Sequence, residues 1–163
     1  MKIAILGNTH FGVRADSLDF HNSFDKFYNE FFCPYLKENN IDTIIQLGDL
    51  FDRRKYITFN SLHLARNYFF DKLKLNNLKL YSIVGNHDIA FKNTLNVNSP
   101  KLLLNEYDNI YIYDKFTTTT FDSLDIDFIP WICEENSSDI VDNINKSKSK
   151  VCMGHLYING CNM

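Results

Sequence analysis

The sequence predicts an α/β fold: a parallel sheet, continued by antiparallel strands in sandwich style and flanked by helices. Three observations carry this. Short apolar runs alternate with longer amphipathic segments up to Val84, the β-α-β-α-β order of a parallel sheet. Each of the first three apolar runs ends in glycine and then a polar cluster. The second half changes to closely spaced, alternating runs separated by turn-like residues, which suits antiparallel strands.

The elements follow in order. Residues 2–7 read as a short buried strand. In residues 19–39, Phe24, Phe27, Tyr28, Phe31 and Tyr35 recur at helical spacing, with Pro34 expected to bend or shorten the helix. Residues 43–47 form a second strand. Residues 58–75 form a second helix, with Thr58 at its N-cap and Leu62, Ala65, Phe69 and Leu73 along one face. Residues 80–84 make a third strand. Its continuous apolar character, like that of the others, predicts strands buried on both faces by crossover connections. Ser99-Pro100 opens a short helix through Leu104. Residues 110–113, 116–121 and 125–129 then read as antiparallel edge strands, residues 139–145 as a weak helix, and residues 151–154 as a last short strand.

Composition narrows the class. The 163 residues are 45% hydrophobic and 15% aromatic, enough for one globular domain without disulfide or metal staples. Seventeen basic against twenty acidic residues leave a net charge of −3, so any contact with nucleic acid needs a local patch or a bound cation. No apolar run reaches membrane-spanning length, and the opening is apolar for too few residues to make a signal peptide, so a cytoplasmic protein without a membrane partner is expected. Cys33, Cys133, Cys152 and Cys161 form no C-x-x-C pair and read as reduced thiols.

The chemistry sits at the strand ends. The clusters are Gly7-Asn8-Thr9-His10, Gly48-Asp49-Leu50-Phe51-Asp52 and Gly85-Asn86-His87-Asp88, and Gly154-His155 follows the last strand. A parallel sheet aligns such clusters along one carboxyl edge, where ligands bind. Imidazole, carboxylate and amide oxygen without thiolate suit Mn²⁺, Fe²⁺ or Zn²⁺. Asp49 could bridge two divalent ions of the kind that clamp a phosphoryl displacement. Taken singly, Asn8 reads equally as a turn residue, Asp49 as a cap and Asn86 as a left-handed turn residue; together the clusters point to a metal site. His21 and His63, inside helices, read as structural. Arg53, Arg54 and Lys55 are either a solvated loop or a contact for substrate phosphates.

These four clusters resemble the motifs of the calcineurin-like metallophosphoesterases, and within them the SbcD-type DNA repair nucleases. The stretch Ile129-Pro130-Trp131-Ile132-Cys133-Glu134-Glu135-Asn136 is most similar to the recombination endonuclease subunits of T-even-type phages. The resemblance implies a metallophosphoesterase-like β-sandwich core, seen here as its amino-terminal portion, and a Mn²⁺-dependent nuclease of DNA recombination and repair that uses two ions. It implies His10 and Asp49 at the first ion, with Asn8 in the place of that ion's other ligand. Asp49, Asn86 and His155 would hold the second ion. His87 would protonate the leaving oxygen or stabilise charge on the phosphate, with Asp88 orienting it. The implied partners are DNA, an SMC-like coiled-coil ATPase and a second copy, packed through the helices around residues 58–65 and 99–104.

Two departures stand out. The family's first ligand is an aspartate, and Asn8 occupies that position without the charge. The family's last motif is Gly-His-x-His, and nothing after Gly154-His155 matches it. Residues 1–163 are therefore expected to be one nuclease domain cut short before that motif, the cap domain and the ATPase-binding tail. The isolated domain would be impaired and would carry an open strand edge near residues 151–154. The other functions the sequence allows are a phosphatase on the same scaffold and a non-catalytic module regulating a partner ATPase.

Overall fold

A computed structural model describes residues 1–157, so Cys161 lies outside the described residues. The first half alternates β1 (Ile3–Leu6), helix α1 (residues 18–38), β2 (Thr43–Gln46), helix α2 (residues 59–75) and β3 (Lys79–Ile83). The second half holds a hairpin of β4 (Ile89–Phe91) and β5 (Thr94–Asn98), α3 (Ser99–Leu104), β6 (Ile110–Tyr113), β7 (Thr117–Phe121), β8 (Leu124–Ile129), α4 (Ser137–Lys146) and β9 (Val151–Gly154). The main sheet runs β1-β2-β3-β6 and every neighbouring pair is parallel. A second sheet runs β7-β8-β9, antiparallel then parallel. No helix among the described residues is long and apolar enough to cross a membrane.

Helices α1 and α2 cover one face of the main sheet. Tyr28, Phe32 and Leu36 of α1 and Ala65, Phe69, Phe70 and Leu73 of α2 close over Ile44 and Leu80, with Phe11 in their midst. The rings of Tyr28 and Phe69 lie 4.4 Å apart. Burying side chains of this size contributes roughly 1.5–3 kcal/mol each, so this cluster is the main stabilising body. Thr58 caps α2 as expected, its hydroxyl accepting the Ser61 N–H at 3.2 Å. His21 is structural, wedged between Tyr68 Oη at 3.1 Å and Ser61 Oγ at 2.8 Å. Burial holds its pKa below the ordinary value.

Three expectations change, and one hairpin enters unforeseen. Pro34 does not shorten α1: the helix widens to a π-helical stretch over Phe27–Phe32 and resumes at Cys33. There the Cys33 N–H reaches back to Tyr28 O, which opens the turn where the proline ring would crowd a carbonyl. The second face of the main sheet is covered by the other sheet, not by crossover helices: Ile45 and Ile83 meet Phe121, Ile126 and Phe128. Residues 110–113 are not an antiparallel edge but the fourth parallel strand, because the hairpin and α3 form one long crossover out of β3. The hairpin itself carries too few residues per strand to show a period in the sequence.

Candidate metal centre

The carboxyl ends of β1, β2 and β3 lie side by side, and the segments leaving β1 and β2 stay paired beyond the strands. Thr9 and His10 N–H both donate to Asp49 O, at 3.2 and 3.0 Å, Phe11 N–H to Leu50 O at 2.9 Å, and Asp52 N–H to Phe11 O at 3.1 Å. The turns are tight: Gly48 has φ 91°, and the non-glycine His10 and Asp49 have φ 45° and 52°. Left-handed backbone at such residues costs about 1–2 kcal/mol each, which these hydrogen bonds offset. Gly85 permits the closest approach, since a Cβ there would lie 2.3 Å from both the Asp49 nitrogen and Asp49 Oδ1.

Gln46 holds the floor. Its Nε2 donates to Gly48 O at 2.6 Å and Gly7 O at 3.3 Å, while Oε1 accepts from Gly48 N at 3.1 Å and Ser82 Oγ at 2.6 Å. One buried amide thus ties together the turns after β1 and β2 and strand β3.

Asp49 is the centre. Its Oδ1 accepts the His87 N–H at 2.8 Å, and its Oδ2 lies 3.7 Å from His10 Nε2 and 3.4 Å from His155 Nε2. His155 Nδ1 contacts Leu47 O at 2.8 Å, which places the proton on Nδ1. The Nε2 lone pair then faces Asp49 Oδ2 and Asn86 Oδ1, the latter at 2.9 Å. Three lone-pair donors converging on one point fit a cation. On the other side, His10 Nδ1 is buried without a hydrogen-bond partner, 3.5 Å from Asp52 Oδ1. His87 stands edge-on to His10, ring centroids 4.9 Å apart, and its Nδ1 contacts Asp52 O at 2.5 Å. His10, Asp52 and His87 offer ligand atoms within 4.8 Å of one another, a second group able to hold a metal ion. Burial lowers the His10 pKa, Asp49 and Asp52 opposing it and His87 and His155 reinforcing it, which favours the neutral ring a metal needs.

The calcineurin-like phosphoesterase pattern matches residues 1–162. The chain belongs to that family. The chain is similar to exonuclease subunit 1 of Enterobacteria phage T4, with 41% identity over 160 residues, 98% of this chain and 47% of the relative. The chain thus spans about half the length of that curated relative. Among solved structures it is similar in fold to AQ665, a protein of unknown function from Aquifex aeolicus, with a TM-score of 0.52 and 18% identity over 97% of this chain and 80% of that one.

The structure brings His10, Asp49, Asn86, His87 and His155 together. Asn8 is exposed at the mouth of the same cleft, about 410 Å³ in volume, with Trp131 and Tyr157. Asp88 is not beside the His87 ring in the orienting role expected of it. It is fully buried and accepts Gly85 N–H at 2.8 Å and Phe51 N–H at 3.1 Å. Burial raises its pKa to about 7, against the pull of those N–H groups. The group that engages His87 Nδ1 is the Asp52 carbonyl, because the turn after β2 passes directly under the ring. Arg53, Arg54 and Lys55 line a separate cleft of about 280 Å³ with Tyr56 and Leu102. There the Arg53 guanidinium lies over the Tyr56 ring at 4.9 Å and pairs with Asp16 at 3.6 Å.

Sequence reasoning missed four participants. Gln46 was signalled by a lone amide inside the apolar run Ile44-Ile45-Gln46-Leu47. Asp52 closes a cluster already singled out. Trp131, the one tryptophan, has its ring 6.0 Å from His155. Tyr157 stands two positions after His155, where the resemblance puts the second histidine.

Proposed function

We propose that this chain is the catalytic core of a metal-dependent nuclease that hydrolyses DNA phosphodiester bonds. The observation that carries the reading is the convergence of His10, Asn86 and His155 on the Asp49 carboxylate, with His87 alongside. The name of the phage relative, an exonuclease subunit, supports DNA as the substrate. Asp49 and His10, with Asn8 at the mouth, would hold one divalent ion, and Asp49, Asn86 and His155 a second. Bound there, such ions, Mn²⁺ by the donor set, would polarise a phosphoryl oxygen and lower the pKa of an attacking water. His87, its Nδ1–H held by the Asp52 carbonyl, would use Nε2, when that nitrogen also carries a proton, to protonate the leaving oxygen or stabilise charge on the phosphate.

Arg53, Arg54 and Lys55 would contact DNA phosphates further along the strand. The exposed Tyr56, Phe59 and Leu102 around the start of α2 and α3 suit a protein interface, which we assign to a second copy of the chain. A coiled-coil ATPase is the proposed further partner. The neutral Asn8 favours one competing reading, a module that binds metal weakly and regulates its partner without cutting.

The test is a Mn²⁺-dependent cleavage assay on DNA and on a phosphomonoester, with the chain, Asn8→Asp, His87→Ala and a version extended by downstream sequence. DNA cleavage that Asn8→Asp strengthens and His87→Ala abolishes supports the nuclease. Phosphomonoester hydrolysis alone would establish a phosphatase. No hydrolysis by any version, with Mn²⁺ bound, would overturn the nuclease reading in favour of the regulatory module. Calorimetry should find the Asn86–His155 site filled first, because the other site lacks a carboxylate at position 8.

A further inference from the structure

Trp131 lines the same cleft of about 410 Å³ as Asp49, Asn86 and His155. An indole offers no lone pair to an ion, so its place there is not that of a ligand. Its ring centroid lies 6.0 Å from that of His155 at an interplanar angle of 62°, so the imidazole stands beside the indole and is not stacked on it. Trp131 is half-buried: it packs against the cluster of Val84, Ile89, Leu95 and Cys133 and still reaches the cleft. Tyr157, 69% exposed, lines the cleft as well.

The backbone holds this indole in place. Trp131 N–H donates to Val84 O at 2.8 Å. Asn136 bridges the turn that follows, its Nδ2 donating to Trp131 O at 3.0 Å and its Oδ1 accepting the Cys133 N–H at 2.8 Å. Val84 runs directly into Gly85-Asn86-His87, so the indole is anchored to the same stretch of chain that carries Asn86.

A fixed aromatic ring among polar ligands suits a substrate with a flat apolar group close to its phosphate, and the cleft volume falls in the range of sites for a single small ligand. A nucleotide has that form, with a phosphate for the ions and a base for the indole. Any base can stack on an aromatic side chain, because each has a π-face. In a duplex, however, neighbouring bases cover those faces, and a base must leave the stack to offer one to a protein.

From the juxtaposition of a fixed indole and the Asp49–Asn86–His155 cluster, we infer that Trp131 is the platform on which an unpaired base of the substrate stacks. The substrate class is then single-stranded DNA or a frayed end, with no preference for one base. This inference rests on the reading of DNA as the substrate and narrows it.

Trp131 is the one tryptophan of the chain, so indole emission reports on this position alone. Oligothymidylate added at low salt with Ca²⁺, an ion that does not quench indole, should quench the emission. A strand of abasic sites with the same phosphates should leave it unchanged and should bind about tenfold more weakly by fluorescence anisotropy, the loss expected for about one stacked base. A duplex closed at both ends by non-nucleotide linkers should not quench. Trp131→Ala should weaken oligothymidylate binding about tenfold with an unchanged circular dichroism spectrum, and Trp131→Phe, which keeps an aromatic face, should recover most of the loss. Emission indifferent to oligothymidylate, equal binding of the abasic strand, or equal quenching by the closed duplex overturns the inference. Cleavage of DNA without quenching would overturn the platform and leave the nuclease standing, and quenching without cleavage would do the reverse.

Discussion

Gln46→Leu isolates what the buried amide does beneath the site. Leucine matches the volume and the burial but makes none of the hydrogen bonds. Three buried groups lose their partner: Ser82 Oγ, Gly48 N–H and Gly48 C=O. Gly7 is exposed and its carbonyl can turn to water. At about 2 kcal/mol for each buried group left unpaired, the loss is about 6 kcal/mol. Burying leucine in place of the amide returns about 2 kcal/mol, leaving a net destabilisation of about 4 kcal/mol. For a domain of this size that is a fall in Tm of about 8–16 °C. Thermal and urea unfolding measure it, with the m-value expected to hold. Ser82→Ala in the Gln46→Leu background should recover about 1–2 kcal/mol, because it removes one of the orphaned groups. Mn²⁺ affinity should fall together with stability, since the Gly48 turn that presents Asp49 has lost its tether. A Tm drop of less than about 2 °C, well under what even one orphaned group should cost, would refute the clamp, as would a Ser82→Ala effect that simply adds to the first.

Asp88, with its pKa raised to about 7, gives a pH signature. Between roughly pH 4 and 7 the folded chain holds a proton that the unfolded chain has lost, so this group's contribution is full below pH 4 and is lost as pH rises through 7. The stability of the parent minus that of Asp88→Asn should therefore decline across that window, and a difference that is flat or rising with pH would contradict the assignment. Gly85→Ala should lower stability and weaken Mn²⁺ binding by calorimetry, because the new Cβ would sit 2.3 Å from both the Asp49 nitrogen and Asp49 Oδ1 and push the turn and its carboxylate aside. Thr58→Ala should cost about 1 kcal/mol of unfolding free energy in urea, the usual loss of an N-cap, and leave metal binding unchanged.

How much was legible follows from what kind of signal each feature leaves. The strand-helix alternation of the first half and the three glycine-ended clusters were readable because local period and residue type determine them. That His10, Asp49 and Asn86 lie side by side was readable in this way, from strand ends that a parallel sheet must align, whereas His155 reaches them from the second sheet. Asp88 was misread because burial decides its role. The chain neighbour of His87 points beneath the turn, and the contact to the ring comes from the backbone of Asp52. The pairing of β6 was equally invisible, since Ile110–Tyr113 has the same apolar alternation whether its neighbour runs with it or against it. Pro34 showed the limit of a propensity rule: tertiary packing of Tyr28, Phe32 and Leu36 outweighed one missing N–H.

The hydrogen-bonded pairing of the segments after β1 and β2 changes how the site can move. Phe11 and Phe51 form a parallel bridge there and both are buried in the aromatic body of the domain. The residues carrying His10 and Asp49 therefore lack the freedom of ordinary surface loops. Peeling them apart would expose two phenylalanines and break the pairing, a local opening nearly as costly as unfolding the domain. In hydrogen-exchange terms, the amides of His10, Phe11 and Asp52 belong with the slowest class, exchanging in step with the central strands. A candidate ligand set held so rigidly would be organised before any ion arrives.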